Sequence, residues 1–370
     1  MSDVHSRLRL NPHVAALPPY NAGLSLDAAR RASGREDIAR LASNENPDGC
    51  SPHVLDALRG FDPSRYADPA CTALREAIGA FLKAAPDRIV CGNGSEELIA
   101  AVSRAALEPG RDVLTVAPSF GLHEIEPLAA GARVQKIAMR EDFGFDLDAL
   151  EAALRNGPAL FFLSSPWNPV GPALDASGLR RLAEAAKGLG TLFVLDEAYF
   201  EYGGDALPDA QQILAQAGLP FVILRTFSKA YGLAGLRVGY ALASDAALAR
   251  TMAAAKTPFN VNGAAQIAAL AALADQDWMR ASVAKLEGRR AALTEGLQAA
   301  GFRVAPSRTN FLFVDTGGDS AEAAAALLSQ GIIVKPWREA GFERFLRVTI
   351  GTASDSERFL AALTRWRDTI

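Results

Sequence analysis

Arg225-Thr226-Phe227-Ser228-Lys229-Ala230-Tyr231-Gly232-Leu233-Ala234-Gly235-Leu236-Arg237-Val238-Gly239-Tyr240 is the stretch on which the reading turns. It follows an apolar run over 221–226, passes through a glycine-containing loop and enters a second apolar run over 237–243. A lysine at the carboxyl edge of a strand, flanked by hydroxyls and an arginine, suits an aldehyde that also bears a phosphate. Lys229 would form an imine with the aldehyde, while Thr226, Ser228 and Arg237 would donate to phosphate oxygens. A Ser-Lys pair alone reads more simply as a surface loop with a solvated lysine. The neighbouring segments weigh against that.

Upstream, Val194-Leu195-Asp196-Glu197-Ala198-Tyr199 ends an apolar run on a carboxylate, where an unpaired charge would be costly to bury. A pyridinium nitrogen would satisfy Asp196, and Asp196 would keep that ring protonated as an electron sink. Tyr199 could donate to a phenolic oxygen on the same ring. Taken alone, Asp196 reads as a turn or helix-cap residue. Leu163-Ser164-Ser165-Pro166-Trp167-Asn168-Pro169-Val170-Gly171 is another run that ends in a rigid turn. Its Asn168 is a second candidate for the phenolic oxygen, although Asn-Pro by itself marks only a turn. Cys91-Gly92-Asn93-Gly94-Ser95-Glu96-Glu97-Leu98 opens a helix, so backbone N–H groups around Gly94, Ser95 and Glu96 would face an anion. The third glycine of a dinucleotide fingerprint is missing, and no ribose-binding acid is correctly placed.

Working outward, short apolar runs over 113–117, 133–138, 159–164, 192–195 and 221–226 read as strands. Amphipathic stretches over 96–107, 147–154, 176–187 and 210–215 read as helices between them. Strands apolar on both faces and separated by helices predict a mostly parallel sheet covered on both sides. After about residue 255 the texture changes to a long helix over 277–300, strands over 302–305, 310–314, 332–335 and 345–350, and helices over 321–330 and 355–366. The expected class is α/β: a large domain with a mostly parallel sheet flanked by helices, plus a smaller α+β C-terminal domain. The expected division is an N-terminal arm over 1–30, a large domain over 31–255 and a small domain over 256–370. Pro12, Pro18 and Pro19 and the weak periodicity mark the arm as a segment lying over other structure.

The composition narrows the partners. The chain has 370 residues, 49% of them hydrophobic and 22% charged, which suits a folded protein with a sizeable core. A formal charge of −4 with scattered Lys and Arg gives no footprint for nucleic acid. Cys50, Cys71 and Cys91 form no C-x-x-C pair, and His5, His13, His53 and His123 show no ligand spacing, so no metal is expected. The start of the chain lacks a signal-like pattern, and no apolar run approaches the ~20 residues that span a bilayer. A cytoplasmic location without membrane contact is the expectation.

Together the segments resemble fold-type-I pyridoxal-phosphate enzymes, and within them the histidinol-phosphate aminotransferase family. Leu41-Ala42-Ser43-Asn44-Glu45-Asn46-Pro47 and Arg65-Tyr66-Ala67-Asp68-Pro69 are similar to that family's early signatures. Pro258-Phe259-Asn260-Val261-Asn262, Thr309-Asn310-Phe311-Leu312 and Leu346-Arg347-Val348-Thr349-Ile350-Gly351-Thr352 extend the likeness towards the C-terminus. The resemblance implies pyridoxal 5'-phosphate as cofactor and a homodimer with shared sites. It implies that Phe120 stacks on the pyridine ring and that Tyr66 reaches the phosphate in the neighbouring subunit. It further implies that Tyr20 closes over the substrate, that Asn44 binds it, and that Arg347, with Lys335, binds the donor's distal anion. The implied reaction converts histidinol phosphate and 2-oxoglutarate into imidazole acetol phosphate and glutamate, a step of histidine biosynthesis.

Some positions depart from the family pattern. Trp167 replaces a common asparagine, Val170 a common threonine, His123 a frequent tyrosine and Lys335 an arginine, and Pro19-Tyr20-Asn21-Ala22-Gly23 lacks a proline before its glycine. Trp167 and His123 are read as packing substitutions. The donor therefore stays open between histidinol phosphate and an aromatic amino acid such as phenylalanine. A pyridoxal-phosphate decarboxylase acting on an amino-acid phosphate would share the cofactor residues. A serine hydrolase is disfavoured: Ser282-Val283-Ala284-Lys285 lies within a helical pattern and lacks its companion motifs. A non-catalytic sensor fused to a DNA-binding module is disfavoured too, because the segment before Asn44 is too short and proline-rich.

Overall fold

The computed structural model describes residues 9–17 and 23–369. Seven strands form the main sheet, in the order Ile89–Gly92, Gly239–Ala243, Phe221–Thr226, Leu192–Asp196, Leu160–Ser164, Asp112–Ala117 and Arg133–Ala138. Gly239–Ala243 runs antiparallel to both neighbours and the other pairings are parallel. The four central strands carry the apolar runs read from the sequence, and Leu160–Ser164 and Leu192–Asp196 are buried along their whole length. Parallel strands need crossover connections, and helices such as Leu147–Leu154 and Ala176–Ala186 supply them. Their caps are legible: the Asp146 and Asp175 side chains accept N–H groups from Ala149 and Gly178.

A second sheet of four antiparallel strands has the order Lys335–Pro336, Phe345–Thr349, Phe311–Asp315 and Arg303–Val304. The helices Gln276–Ala299, Ser320–Ser329 and Ala353–Arg367 complete this α+β part. Phe313 and Phe345 stack between its strands with ring centres 4.8 Å apart.

Three expectations change. The strand expected over 332–335 is two strands: Ile332–Ile333 pairs in parallel with Ala39–Arg40, whereas Lys335–Pro336 pairs with Phe345–Thr349. Lys335 therefore begins a strand instead of ending one, because the chain changes partners at Val334. The strand expected from residue 237 starts at Gly239, since Arg237 holds a left-handed φ of 58° that a strand cannot contain. The described part of the segment 1–30 is more regular than expected. A short helix, Pro12–Ala15, is capped by Asn11, and Leu26–Ser33 runs from a Ser25 cap to a left-handed Gly34.

Candidate active site

Four neighbouring parallel strands end on one side of the main sheet, and their following residues converge there, as expected at the carboxyl edge of such sheets. Ser164 and Asp196 are register partners at the ends of adjacent strands. Asp196 in turn pairs with Leu224, two residues before Thr226. The turns after Ala117 and Ser164 bring Phe120 and Asn168 to the same edge. The result is a cavity of about 510 Å³ lined by Ser95, Glu96, Phe120, Asn168, Asp196, Tyr199, Thr226, Ser228, Lys229 and Arg237 on the main-sheet side. Asn44, Lys335, Trp337, Arg338 and Arg347 line the rest.

One end gathers groups that could hold an anion. The helix Gly94–Ala106 begins beside Ser95 and Glu96, and Arg237 Nη2 donates to Glu96 Oε2 at 2.9 Å. Gly94 has φ +73°, and a Cβ there would lie 2.4 Å from Arg237 Nη2. Only glycine permits that approach. The buried Thr226 and Ser228 hydroxyls bond each other at 3.0 Å, and Ser228 N–H donates to Thr226 Oγ1 at 3.1 Å. Thr226 Oγ1 also reaches the Val238 carbonyl at 3.3 Å, beside the neighbouring strand, and both residues of the hydroxyl pair line the cavity.

Lys229 Nζ donates to the Ser43 carbonyl at 3.1 Å and lies 6.0 Å from the Tyr199 ring centre. Burial first, and then the Arg347 charge, bring its ammonium down to about 8. Asn44 has a left-handed φ of 54°, which turns its side chain inward. Its Nδ2 donates to the Tyr199 hydroxyl at 2.8 Å, and its Oδ1 accepts from Thr349 Oγ1 at 3.1 Å. Asn44 thus orients Tyr199 at least as directly as it could meet a substrate.

Asp196 is 4% exposed. One carboxylate oxygen accepts the Ala198 N–H at 3.0 Å, and the other lies 3.1 Å from His123 Nε2. The His123 ring stacks on Phe162 at 5.0 Å and meets Phe120 edge-on at 5.6 Å. His123 packs, as a packing substitution should, and is in addition a polar partner of the buried carboxylate. Only the position three residues after Phe120 hinted at this, because one helical turn carries His123 back beneath the same wall. Trp167 does pack: it is fully buried, stacks on Phe145 at 4.4 Å and donates its ring N–H to the Pro118 carbonyl at 2.9 Å.

On the opposite wall, Lys335 and Arg347 are directly paired across adjacent antiparallel strands. Arg347 is 9% exposed; its Nη1 donates to Asn168 Oδ1 at 2.7 Å and its Nη2 to the Ala42 carbonyl at 2.8 Å. The Asn168 amide oxygen therefore faces a guanidinium. Burial, with Arg347 and then Arg338, brings Lys335 down to about 8.

Tyr66 is not brought into this cavity. It is 85% exposed, and its ring packs on Phe259 at 4.7 Å. Tyr20 lies outside the described residues. Sequence reasoning missed Trp337 and Arg338 on the wall and the Ser43 carbonyl beneath Lys229. Among the described residues no cluster of His, Cys, Asp or Glu could hold a metal ion, and no helix is long and apolar enough to cross a membrane.

The chain is similar to known proteins over most of its length. Residues 36–363 match the family described as aminotransferase class I and II. A histidinol-phosphate aminotransferase of Mesorhizobium japonicum is 43% identical over 350 residues, covering 94% of this chain and 95% of that one. Another, from Rhizobium meliloti, is 41% identical over 361 residues, covering 96% of each. The crystal structure of the Sinorhizobium meliloti histidinol-phosphate aminotransferase in complex with pyridoxal-5'-phosphate superposes with a TM-score of 0.88 at 32% identity, covering 98% of both chains.

Proposed function

The chain belongs to the class I and II aminotransferases, and from that premise we propose that it carries pyridoxal 5'-phosphate on Lys229 and moves an amino group from histidinol phosphate to 2-oxoglutarate. The products are imidazole acetol phosphate and glutamate. The donor set fits the cofactor. The Gly94 cradle beside Arg237, with Ser95, Thr226 and Ser228, offers a guanidinium, hydroxyls and a helix N-terminus to a phosphate. Phe120 offers a flat wall, and Tyr199 and Asn168 suit a phenolic oxygen.

When bound, the cofactor supplies an aldehyde that captures the donor amine and a ring that accepts electron density from the donor Cα. The protein's residues do the rest. Lys229 holds a neutral amine in a useful fraction near neutral pH, because its ammonium is brought down to about 8. Its Nζ is the base for the donor's Cα proton. Asp196, buried and held by His123 and the Ala198 N–H, is the anion that keeps a ring nitrogen protonated. Asn44 holds Tyr199 in place.

The observation that carries the donor choice is the cross-strand pair Lys335 and Arg347 on the cavity wall. A phosphate monoester bears nearly two charges near neutral pH and a carboxylate one, so two cations favour the phosphate. Purified protein supplied with 2-oxoglutarate and either histidinol phosphate or phenylalanine tests the reading. Glutamate formed faster from histidinol phosphate supports it. Preference for phenylalanine makes the enzyme an aromatic aminotransferase. Release of carbon dioxide from an added amino-acid phosphate, which keeps the carboxylate that histidinol phosphate lacks, makes it a decarboxylase.

The working unit in this proposal is a cytoplasmic homodimer. Tyr66 and Phe259 form an exposed aromatic pair outside their own cavity. An exposed tyrosine with no role at its own site suits one lent to the partner's phosphate.

A further inference from the structure

We propose that Glu339 is a positioning residue for both walls of the cavity, tying the turn that presents Phe120 to the loop that presents Lys335, Trp337 and Arg338. Ser119, the residue before Phe120, is 4% exposed, and its backbone N–H donates to Glu339 Oε2 at 3.1 Å. A buried N–H needs a partner, and this one finds it 220 residues along the chain. The same oxygen accepts the Trp337 ring N–H at 3.3 Å, which anchors the cavity-lining loop two residues before Glu339. One carboxylate oxygen therefore touches both walls.

The other oxygen is held by a bridge. Glu339 Oε1 accepts from Lys136 Nζ at 3.0 Å, and Lys136 also reaches Glu124 Oε2 at 3.0 Å. Lys136 lies on the edge strand Arg133–Ala138, and Glu124 on the helix Leu122–Ala129 that carries His123. Partly exposed ion pairs contribute little by themselves. Here the bridge only gives the second carboxylate oxygen a partner; the turn before Phe120 is held by the bond from Ser119 N–H to the first. From the opposite side Trp167 donates to the Pro118 carbonyl, so the turn is pinned at Pro118 and at Ser119. Releasing one pin should let the ring wall and the donor wall move independently.

The donor-binding part rests on the proposed transamination; the hydrogen bond to Ser119 does not. The test compares Glu339→Ala, Glu339→Gln and Lys136→Met in the full chain. Three quantities are read: hydrogen exchange at the Ser119 amide without cofactor, the dissociation constant for pyridoxal 5'-phosphate, and KM and kcat for the donor. For Glu339→Ala we expect Ser119 exchange, the cofactor dissociation constant and the donor KM each to rise about tenfold, with kcat changed less. Glu339→Gln keeps an acceptor but loses the charge and should fall between. If the alanine variant does not fold, the glutamine variant is held to the same three readings. Lys136→Met should leave Ser119 exchange within about twofold of the parent, as loss of a partly exposed ion pair predicts. Unchanged Ser119 exchange in both Glu339 variants overturns the proposal. Faster exchange with an unaltered cofactor constant overturns it as well, because the contact would then be structural only. If the parent itself turns over no donor, the functional reading fails, while exchange and cofactor titration still decide the role of Glu339.

Discussion

His123 Nε2 and Asp196 Oδ2 lie 3.1 Å apart in the interior, with the histidine ring fully buried against Phe162. The pair joins a helix to the end of a central strand beneath the cavity wall. His123→Phe keeps an aromatic ring on Phe162 and removes one partner of the carboxylate. A hydrogen bond to a charged group is worth roughly a ten- to hundredfold effect, so kcat/KM is expected to fall by about that factor. Turnover equal to the parent's would remove His123 from the working site.

Asp196→Asn takes the negative charge itself away. Breaking a buried charge pair costs about 3–5 kcal/mol. At about 1.4 kcal/mol per tenfold this is a rate loss between a hundredfold and a few thousandfold. Steady-state kinetics on protein saturated with cofactor check it, and a variant within threefold of the parent, about 0.6 kcal/mol, refutes the electron-sink role.

Lys229→Ala should abolish turnover in a folded chain. Borohydride reduction of the parent with cofactor, followed by peptide mapping, should find the adduct on Lys229. The pH dependence has a definite sign. Only the neutral amine bonds an aldehyde, and Lys229 titrates near 8 instead of the usual 10.5. Cofactor capture by the apo-protein should therefore speed up about tenfold per unit of rising pH below 8 and level off above it. Arg347→Met removes the second-largest cause of that lowering, so the plateau should move to higher pH. A capture rate independent of pH between 6 and 9, about three units around that value, would contradict the assignment.

Lys335→Met should weaken a phosphate-bearing donor by about ten- to a hundredfold and a carboxylate donor distinctly less, whereas Arg347→Met should damage both. Lys335 titrates near 8 and loses its charge progressively as pH rises through that value. KM for the phosphate donor should then rise as pH increases through about 8, and this rise should vanish in Lys335→Met. Equal losses for both donors in Lys335→Met would favour the aromatic-donor alternative.

Tyr66→Phe and Lys229→Ala chains, each impaired alone, should regain activity when mixed into heterodimers, because one hybrid site would contain both wild-type residues. Verified heterodimers without regained turnover would count against a shared site.

Much of the architecture was legible along the chain. The central strands are runs of Val, Leu, Ile and Phe buried on both faces, and such runs announce themselves without knowledge of their partners. The residues at their carboxyl ends follow from chain direction: parallel strands end on one side, so Asp196, Thr226 and Lys229 had to share an edge. Less legible was the strand over 332–335, which divides because two different partner strands claim its halves.

The sequence by itself pointed to the lysine, the aspartate and the separate segments of an anion cradle, each a short contiguous stretch, and to the sheet through its apolar runs. The cradle itself forms only where Gly94 meets Arg237. Tertiary structure alone decided which distant side chains these groups meet. His123 meets Asp196 across 73 positions, Asn168 meets Arg347 across 179, and the Ser119 N–H meets Glu339 across 220. Periodicity shows which face of an element is buried but not what stands opposite. Hydrogen bonds demand placement within a few tenths of an ångström, and that placement comes from the packing of the whole chain.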